Sequence, residues 1–199
     1  MIMSKLHLLV SLGILLTFSP VLGQKGFSPG YVILNSGDTL QGSIRDRSED
    51  KIYKKIRFRG ENTGRNKYSP YQIKGYIING SEFESFWFEE QTQFFMFNYF
   101  NVEGRGEKVF LRVLARGPLS CYLLEYIDPD SGYPDGFELF KRENDNFFER
   151  ATQGIFGLKK NRLSRYLQDC PSLVEKIQSG HIKRPMEVVD YYNTQCDRE

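Results

Sequence analysis

IKGYIINGSEFESFWF, residues 73–88, decides the reading of the fold. Two apolar-rich runs flank Asn79-Gly80, and Asn-Gly accepts the positive φ values that a type I′ turn demands at both central positions. The stretch therefore predicts a tight antiparallel hairpin, residues 73–78 against 81–88, whose register the turn sets.

Outward from this hairpin the same grammar recurs. Residues 31–34 lead through Asn35-Ser36-Gly37-Asp38 into 39–45, where Leu40, Gly42 and Ile44 alternate with Gln41, Ser43 and Arg45 as in a half-buried strand. Residues 51–59 repeat the pattern with Ile52, Ile56 and Phe58, and a polar loop is expected over 60–70. Runs at 93–101, 108–116, 119–127 and 137–142, separated by turns such as Gly117-Pro118 and the loop 128–136, bring the expected count to about nine short strands. The fold class is α+β and predominantly antiparallel: a barrel, a sandwich or two small sheets. No helical crossover separates the strands, which disfavours a parallel α/β sheet.

Composition shifts after Phe148. Ile155, Leu158, Leu163, Tyr166, Leu167 and Cys170 recur at three- and four-residue steps and predict one amphipathic helix. A second helix starts at Pro171, or at a Ser172-x-x-Glu175 capping box, and stops at Gly180; Pro185 opens a third, with Val189, Tyr192 and Cys196 on one face. The expected organisation is a β-rich domain over 24–148 with a helical tail, 149–199, packed on it.

The N-terminus reads as a secretory signal peptide over residues 1–23. Lys5 precedes an apolar run from Leu6 to Phe18, and Val21-Leu22-Gly23 ends in small residues before Gln24. No Cys follows the run, as a lipid anchor at the cleavage point would require, and no later segment has the apolar length of a transmembrane helix. Export is the expectation: periplasm, cell surface or medium. Cleavage removes one base and no acid, leaving 26 basic against 25 acidic side chains, a balance with no global pull toward nucleic acid.

The three cysteines have no Cys-x-x-Cys spacing. In an oxidising compartment Cys170 and Cys196 are the pair expected to bridge if the last two helices fold back, the alternative being two buried thiols; Cys121 reads as a core residue.

Candidate chemistry is sparse. The sole histidine after the leader, His181, follows a helix stop and reads as a cap or an exposed ring. Asp128, Asp130 and Asp135 miss the EF-hand spacing and read as turn chemistry. Glu82, Glu84, Glu89 and Glu90 are the carboxylates from which a glycoside-hydrolysing pair could be drawn, but they read foremost as a solvated strand edge. No catalytic residue, metal site or cofactor is assigned. Lys51, Lys54, Lys55, Arg57, Arg59, Arg65 and Lys67 form a basic patch against Asp50 and Glu61. It reads as a solvated face, or functionally as a site for an anionic glycan or lipid headgroup. Residues 83–100 hold nine aromatics, half of which must face away from the strand's core side. Phe86, Trp87, Phe88, Phe95, Phe97 and Tyr99 are the candidate binding set, as a sugar-stacking platform or a protein-docking face, unless the tail or a second sheet covers them.

Three motifs carry a family likeness: the Gly37-Asp38-Thr39 turn, the strand Phe110-Leu111-Arg112-Val113-Leu114 followed by Gly117, and the tail Asp169-Cys170-Pro171-x-Leu173 ending in Tyr192-Asn193-x-x-Cys196. In these the chain resembles uncharacterised exported proteins of Bacteroidetes-type bacteria, although Asp197-Arg198-Glu199 extend the tail beyond the second cysteine. The resemblance implies an envelope or extracellular setting and supplies no catalytic residues. The expected function is a non-catalytic binding or scaffolding module of the envelope, partnered by a protein or glycan. The alternative is a carboxylate-dependent hydrolase of envelope or extracellular glycans.

Overall fold

The computed structural model describes residues 26–48, 51–61, 63–94 and 96–196, so the expected leader lies outside the described residues. Eleven strands are present among them: β1 (Ser28–Leu34), β2 (Thr39–Ser48), β3 (Lys51–Gly60), β4 (Gly64–Tyr68), β5 (Ile73–Ile78), β6 (Ser81–Gln93), β7 (Met96–Phe100), β8 (Glu107–Ala115), β9 (Leu119–Ile127), β10 (Pro134–Arg142) and β11 (Phe147–Arg150). Three helices follow a short 3-10 turn: α1 (Lys160–Tyr166), α2 (Pro171–Ser179) and α3 (Pro185–Gln195). The α+β, predominantly antiparallel class is as expected, and the strand count is eleven rather than nine. The two additional strands are β4, where a polar loop was expected, and β11, which straddles the composition shift at Phe148.

The β5–β6 hairpin closes where the sequence places it. Ile78 pairs with Ser81, and the turn residues Asn79 and Gly80 have φ values of 48° and 76°. Strand β6 then continues past Phe88 through Glu89-Glu90 to Gln93, so that one long strand serves two lobes. Its first half pairs with both β5 and β8, and its second half pairs with β7. Pairing runs on from β7 to β11, β10, β9 and β8, which closes a six-strand barrel on β6. From β5 the sheet extends outward through β1, β2 and β3 to β4.

Alternation along the shared strands sorts the side chains into two cores. Phe88, Leu111, Tyr122, Leu139, Phe137, Tyr99 and Phe148 fill the barrel, whereas Phe83 on β6 turns the other way and joins Val32, Ile44, Ile56, Phe58, Ile73 and Tyr76 in the outer lobe. Arg47 fastens the lobes together. Its guanidinium donates to both Glu125 carboxylate oxygens on β9 at 3.1 and 3.0 Å and to Asp46, which also accepts the buried Tyr76 hydroxyl at 3.1 Å.

A third core lies outside the barrel, between β9, β10 and the helices: Leu119, Cys121 and Phe140 against Leu163, Leu167, Leu173, Ile177, Val188 and Val189. Two polar clamps orient it. Asn193 of α3 accepts the Leu119 N–H at 2.9 Å and donates to the Leu119 carbonyl at 3.0 Å, standing in for a neighbouring strand. Gly117 is required there, because a Cβ would sit 2.4 Å from the Asn193 amide nitrogen. Arg142 donates to the Tyr166 carbonyl and to Asp169, with Tyr166 and Tyr192 rings beneath its guanidinium.

The helix ends follow local chemistry. Pro171 occupies the first turn of α2, Gly180 stops it in the left-handed region, and Pro185 opens α3. The first helix differs from expectation. Gly157 has a φ of 71°, which divides the periodic run, so Leu158 sits in an isolated bridge to Thr152 and only residues 160–166 are α-helical.

Cys170 and Cys196 are disulfide-bonded across 26 residues, and Cys121 is a buried free thiol whose pKa burial pushes up to about 12. A loop of that length is worth roughly 3–4 kcal/mol in the chain-entropy model. Replacing both tail cysteines with serine is expected to lower urea-unfolding stability by about that amount. Thiol titration of the oxidised protein should find none reactive when native and one when unfolded.

Glu187 supplies an acid-sensitive contact at the start of α3. The Lys183 backbone N–H, the Arg184 guanidinium and the Arg184 N–H converge on its carboxylate and hold its pKa down to about 2, from an ordinary 4.5. Its stabilisation is complete above 4.5 and is lost as pH falls toward 2. Glu187→Gln should therefore flatten the stability–pH curve in that interval and leave its shape near neutrality unchanged.

Candidate functional site

Strand periodicity divides the aromatic candidates. Phe86, Phe88 and Tyr99 lie on the barrel face: Phe86 meets Tyr122 and Phe148 edge-on at centroid distances of 4.9 and 5.4 Å, and Phe88 stacks on Tyr99 at 5.3 Å. They fill the barrel core. Burial also raises the Tyr99 and Tyr122 phenol pKa values. Trp87 points to the opposite face, where Tyr71 meets it edge-on at 5.5 Å and the Lys108 ammonium lies 5.6 Å from its ring. Phe95 lies outside the described residues. Phe97 alone of the described candidates is an exposed large apolar side chain. The six do not share one face, because neighbours in a strand point to opposite sides of the sheet.

The turn end of the β6–β7 hairpin forms a different surface. Phe94 is 85% exposed, with Met96, Phe97 and Phe156 of the 3-10 turn also in solvent. Phe94 has a φ of 47°, a left-handed conformation that costs a non-glycine residue on the order of 1–2 kcal/mol. Beside the tip runs an open cleft of about 500 Å³ lined by Met96, Phe97, Phe156, Leu158, Lys159 and Arg162, among others. Arg162 braces the structure from α1. It donates to the Phe97 carbonyl at 3.0 Å and to Asn98 at 3.3 Å, and it forms an ion pair at 2.7 Å with the buried Glu149. Burial lowers the Lys159 pKa, with the neighbouring Arg150 and Arg162 adding to the effect. The cleft is thus apolar on its hairpin side and cationic on its helix side.

Phe94, Met96 and Phe156 are the members of this surface that the candidate set omits. A large aromatic in a two-residue turn is the local signal for Phe94. Phe156 is brought to the hairpin by tertiary structure alone.

The other candidates sit as follows. Arg116 holds both Glu82 and Glu84, and Arg105 pairs with Glu89 at 2.8 Å, so three of the four carboxylates face guanidinium groups. Hydrolysis by paired carboxylates needs two acids about a scissile bond, whereas Glu82 and Glu84 converge on one cation. The exposed His181 shares a 2.7 Å hydrogen bond with Ser179. Asp128 accepts the backbone N–H groups of Asp130 and Ser131 at 3.1 and 2.7 Å, the Asx-turn chemistry expected of its loop. Among the described residues no cluster of His, Cys, Asp and Glu has the arrangement of a metal site, and no helix is long and apolar enough to cross a membrane.

The division of the aromatic run has a measurable consequence. Phe88→Ala should cost about 3–5 kcal/mol in denaturant unfolding, as expected for a large ring removed from a packed core. Trp87→Ala, on the less buried face, should cost clearly less. Equal losses would contradict the assignment of the two faces.

Comparison of the chain with protein-family models, curated proteins and solved structures finds no match.

Proposed function

We propose that this chain is a non-catalytic binding module of the cell envelope or extracellular space that grips a partner protein by the tip of the β6–β7 hairpin. The observation that carries the reading is the group Phe94, Met96, Phe97 and Phe156, exposed together beside a cleft. Clustered apolar side chains in water are characteristic of interaction sites, and rigid aromatic rings give large contact area for little lost entropy. Phe94 adds a conformational cost that a turn residue such as Asn or Gly would avoid.

The chemistry of the rim defines the partner. Lys159 and Lys160 line the cleft as cations, Arg162 being paired with Glu149, and no acidic residue is among the described residues of its lining. The complementary surface is a protein segment that places an apolar anchor in the cleft and acidic side chains against these cations. The Cys170–Cys196 bridge is compatible with an oxidising compartment and supports placing this encounter outside the cytosol. A concave cleft also suits an inserted side chain better than it suits a flat lipid surface.

The test compares the protein with a Phe94→Ser, Phe97→Ser variant, each immobilised and challenged with envelope extract and, separately, with anionic vesicles. The expected result is a defined protein, identified by mass spectrometry, whose capture falls at least about tenfold in the variant, since one or two anchors dominate such interfaces. Unchanged thermal stability would show the loss to be local. Equal capture by both proteins, or retention on vesicles alone, would overturn the reading.

A further inference from the structure

Strand register gathers cations that lie far apart in the chain. Arg45 of β2 is directly opposite Arg57 of β3, which is directly opposite Lys67 of β4. In the next row Arg59 faces Arg65 across the same pair of strands. Residues opposite one another in an antiparallel pair have Cβ atoms about 5 Å apart, and like charges there are destabilising. Among the described residues none of these five cations makes an ion pair. The nearby Lys54, by contrast, is paired with Glu107 at 3.2 Å.

The rows lead into a cavity. Arg45 also lines an open cleft of about 710 Å³, together with Arg47, Arg112, Ser28, Ser81, Asn79 and the nearly buried Asp46. Arg47 is balanced by Asp46 and Glu125, while Arg112 has no ion-pair partner among the described residues. The surface therefore runs from a cleft holding hydroxyl, amide and guanidinium groups, its one carboxylate paired with Arg47, onto a sheet face of cations that have no ion-pair partner among the described residues. Nothing in the overall charge of +2 demands this concentration.

We propose that the outer sheet face of β2, β3 and β4, with its adjoining arginine cleft, binds an anionic polysaccharide carrying sulfate or carboxylate groups. Ser28, Ser81, Asn79 and Arg112 would meet the hydroxyls and one anionic group of a sugar unit in the cleft. The Arg45–Arg57–Lys67 row would take the anionic groups of the units that follow. The aromatic rings on this face argue against single-stranded nucleic acid, which needs free ring faces for base stacking. The Tyr53 ring has the Arg45 and Arg57 guanidinium carbons 5.7 and 5.1 Å from its centroid, and Arg59 covers Phe27 at 3.8 Å. These rings hold the arginines in place and offer little to a base. The inference rests on a surface separate from the hairpin tip, so either can fail without the other.

The decisive measurement is titration of the protein and an Arg57→Thr, Lys67→Thr variant with a heparin-derived decasaccharide and a galacturonate oligomer. A 20-nucleotide single strand of DNA and phosphatidylglycerol vesicles serve as the contrasting arms. Wild type is expected to bind at least one saccharide, and which one it prefers identifies sulfate or carboxylate as the recognised group. The variant should bind at least about tenfold more weakly, with the slope of log K against log salt shallower by about two. Because substitution relieves like-charge repulsion, the variant should also melt about 2–4 °C higher at low salt. That rise separates a lost site from a damaged fold. No binding to either saccharide, binding to DNA or vesicles alone, or a variant that binds as well as wild type would overturn the proposal.

Discussion

The alternation of side chains along β6 is the constraint on which the structure depends. One strand of thirteen residues has to satisfy two cores, and it does so because Phe83 faces the outer lobe while Phe86 and Phe88 face the barrel. Across the pairing with β8, Arg112 and Phe110 stand beside Phe83 and Ser85, and Leu111 and Val109 stand beside Glu84 and Phe86. A register slip of one residue would exchange the two faces. The type I′ turn at Asn79-Gly80 sets that register from one end, and the ring contacts Phe86–Tyr122, Phe88–Tyr99 and Phe86–Phe148 hold it from within. The barrel interior is accordingly a packed aromatic core.

Given that frame, polar groups determine how the layers sit on one another. Apolar burial is not directional. Arg47, Arg142 and Asn193 each join elements far apart in sequence through several hydrogen bonds, and each does so where a change of angle would break more than one of them. The Arg47 cluster also shows how a polar group is kept within an apolar lobe. Asp46 is almost fully buried, but its carboxylate faces both a guanidinium and the Tyr76 hydroxyl, and burial with Asp46 nearby drives the Tyr76 pKa well upward. Removing one partner would leave another charged group unpaired, which is why such clusters are costly to disrupt even where their net contribution is small.

Much of this was legible in the chain. The Asn79-Gly80 hairpin, the stop at Gly180 and the openings at Pro171 and Pro185 follow from local chemistry, and all are present; the Cys170–Cys196 bridge, expected only if the last two helices fold back, is present as well. Strand β4 was not legible, since Gly64–Tyr68 carries charged residues and only one apolar side chain, as suits the outer strand of a sheet. Strand β11 is four residues long and lies across a shift in composition. In the tail, Leu158 matches helical spacing, but the positive φ at Gly157 breaks the run. The candidate site was legible only as an aromatic excess. Deciding that Phe88 is core and Phe94 is surface needed the pairing of β6 with β7, and the alignment of Arg45, Arg57 and Lys67 needed the register of three strands. Such information resides in contacts between segments and has no local signature.

The disulfide has a further effect through its position. It links the residue preceding α2 to the residue that ends α3, so both helices and the 180–184 connection, where His181, Lys183 and Arg184 are exposed and Ile182 is buried, lie inside a covalent ring. A protease that severed that connection would open the ring without releasing a fragment, and the helical cover of the β9–β10 face would stay tethered to the barrel. A molecule nicked there would keep its two pieces covalently joined.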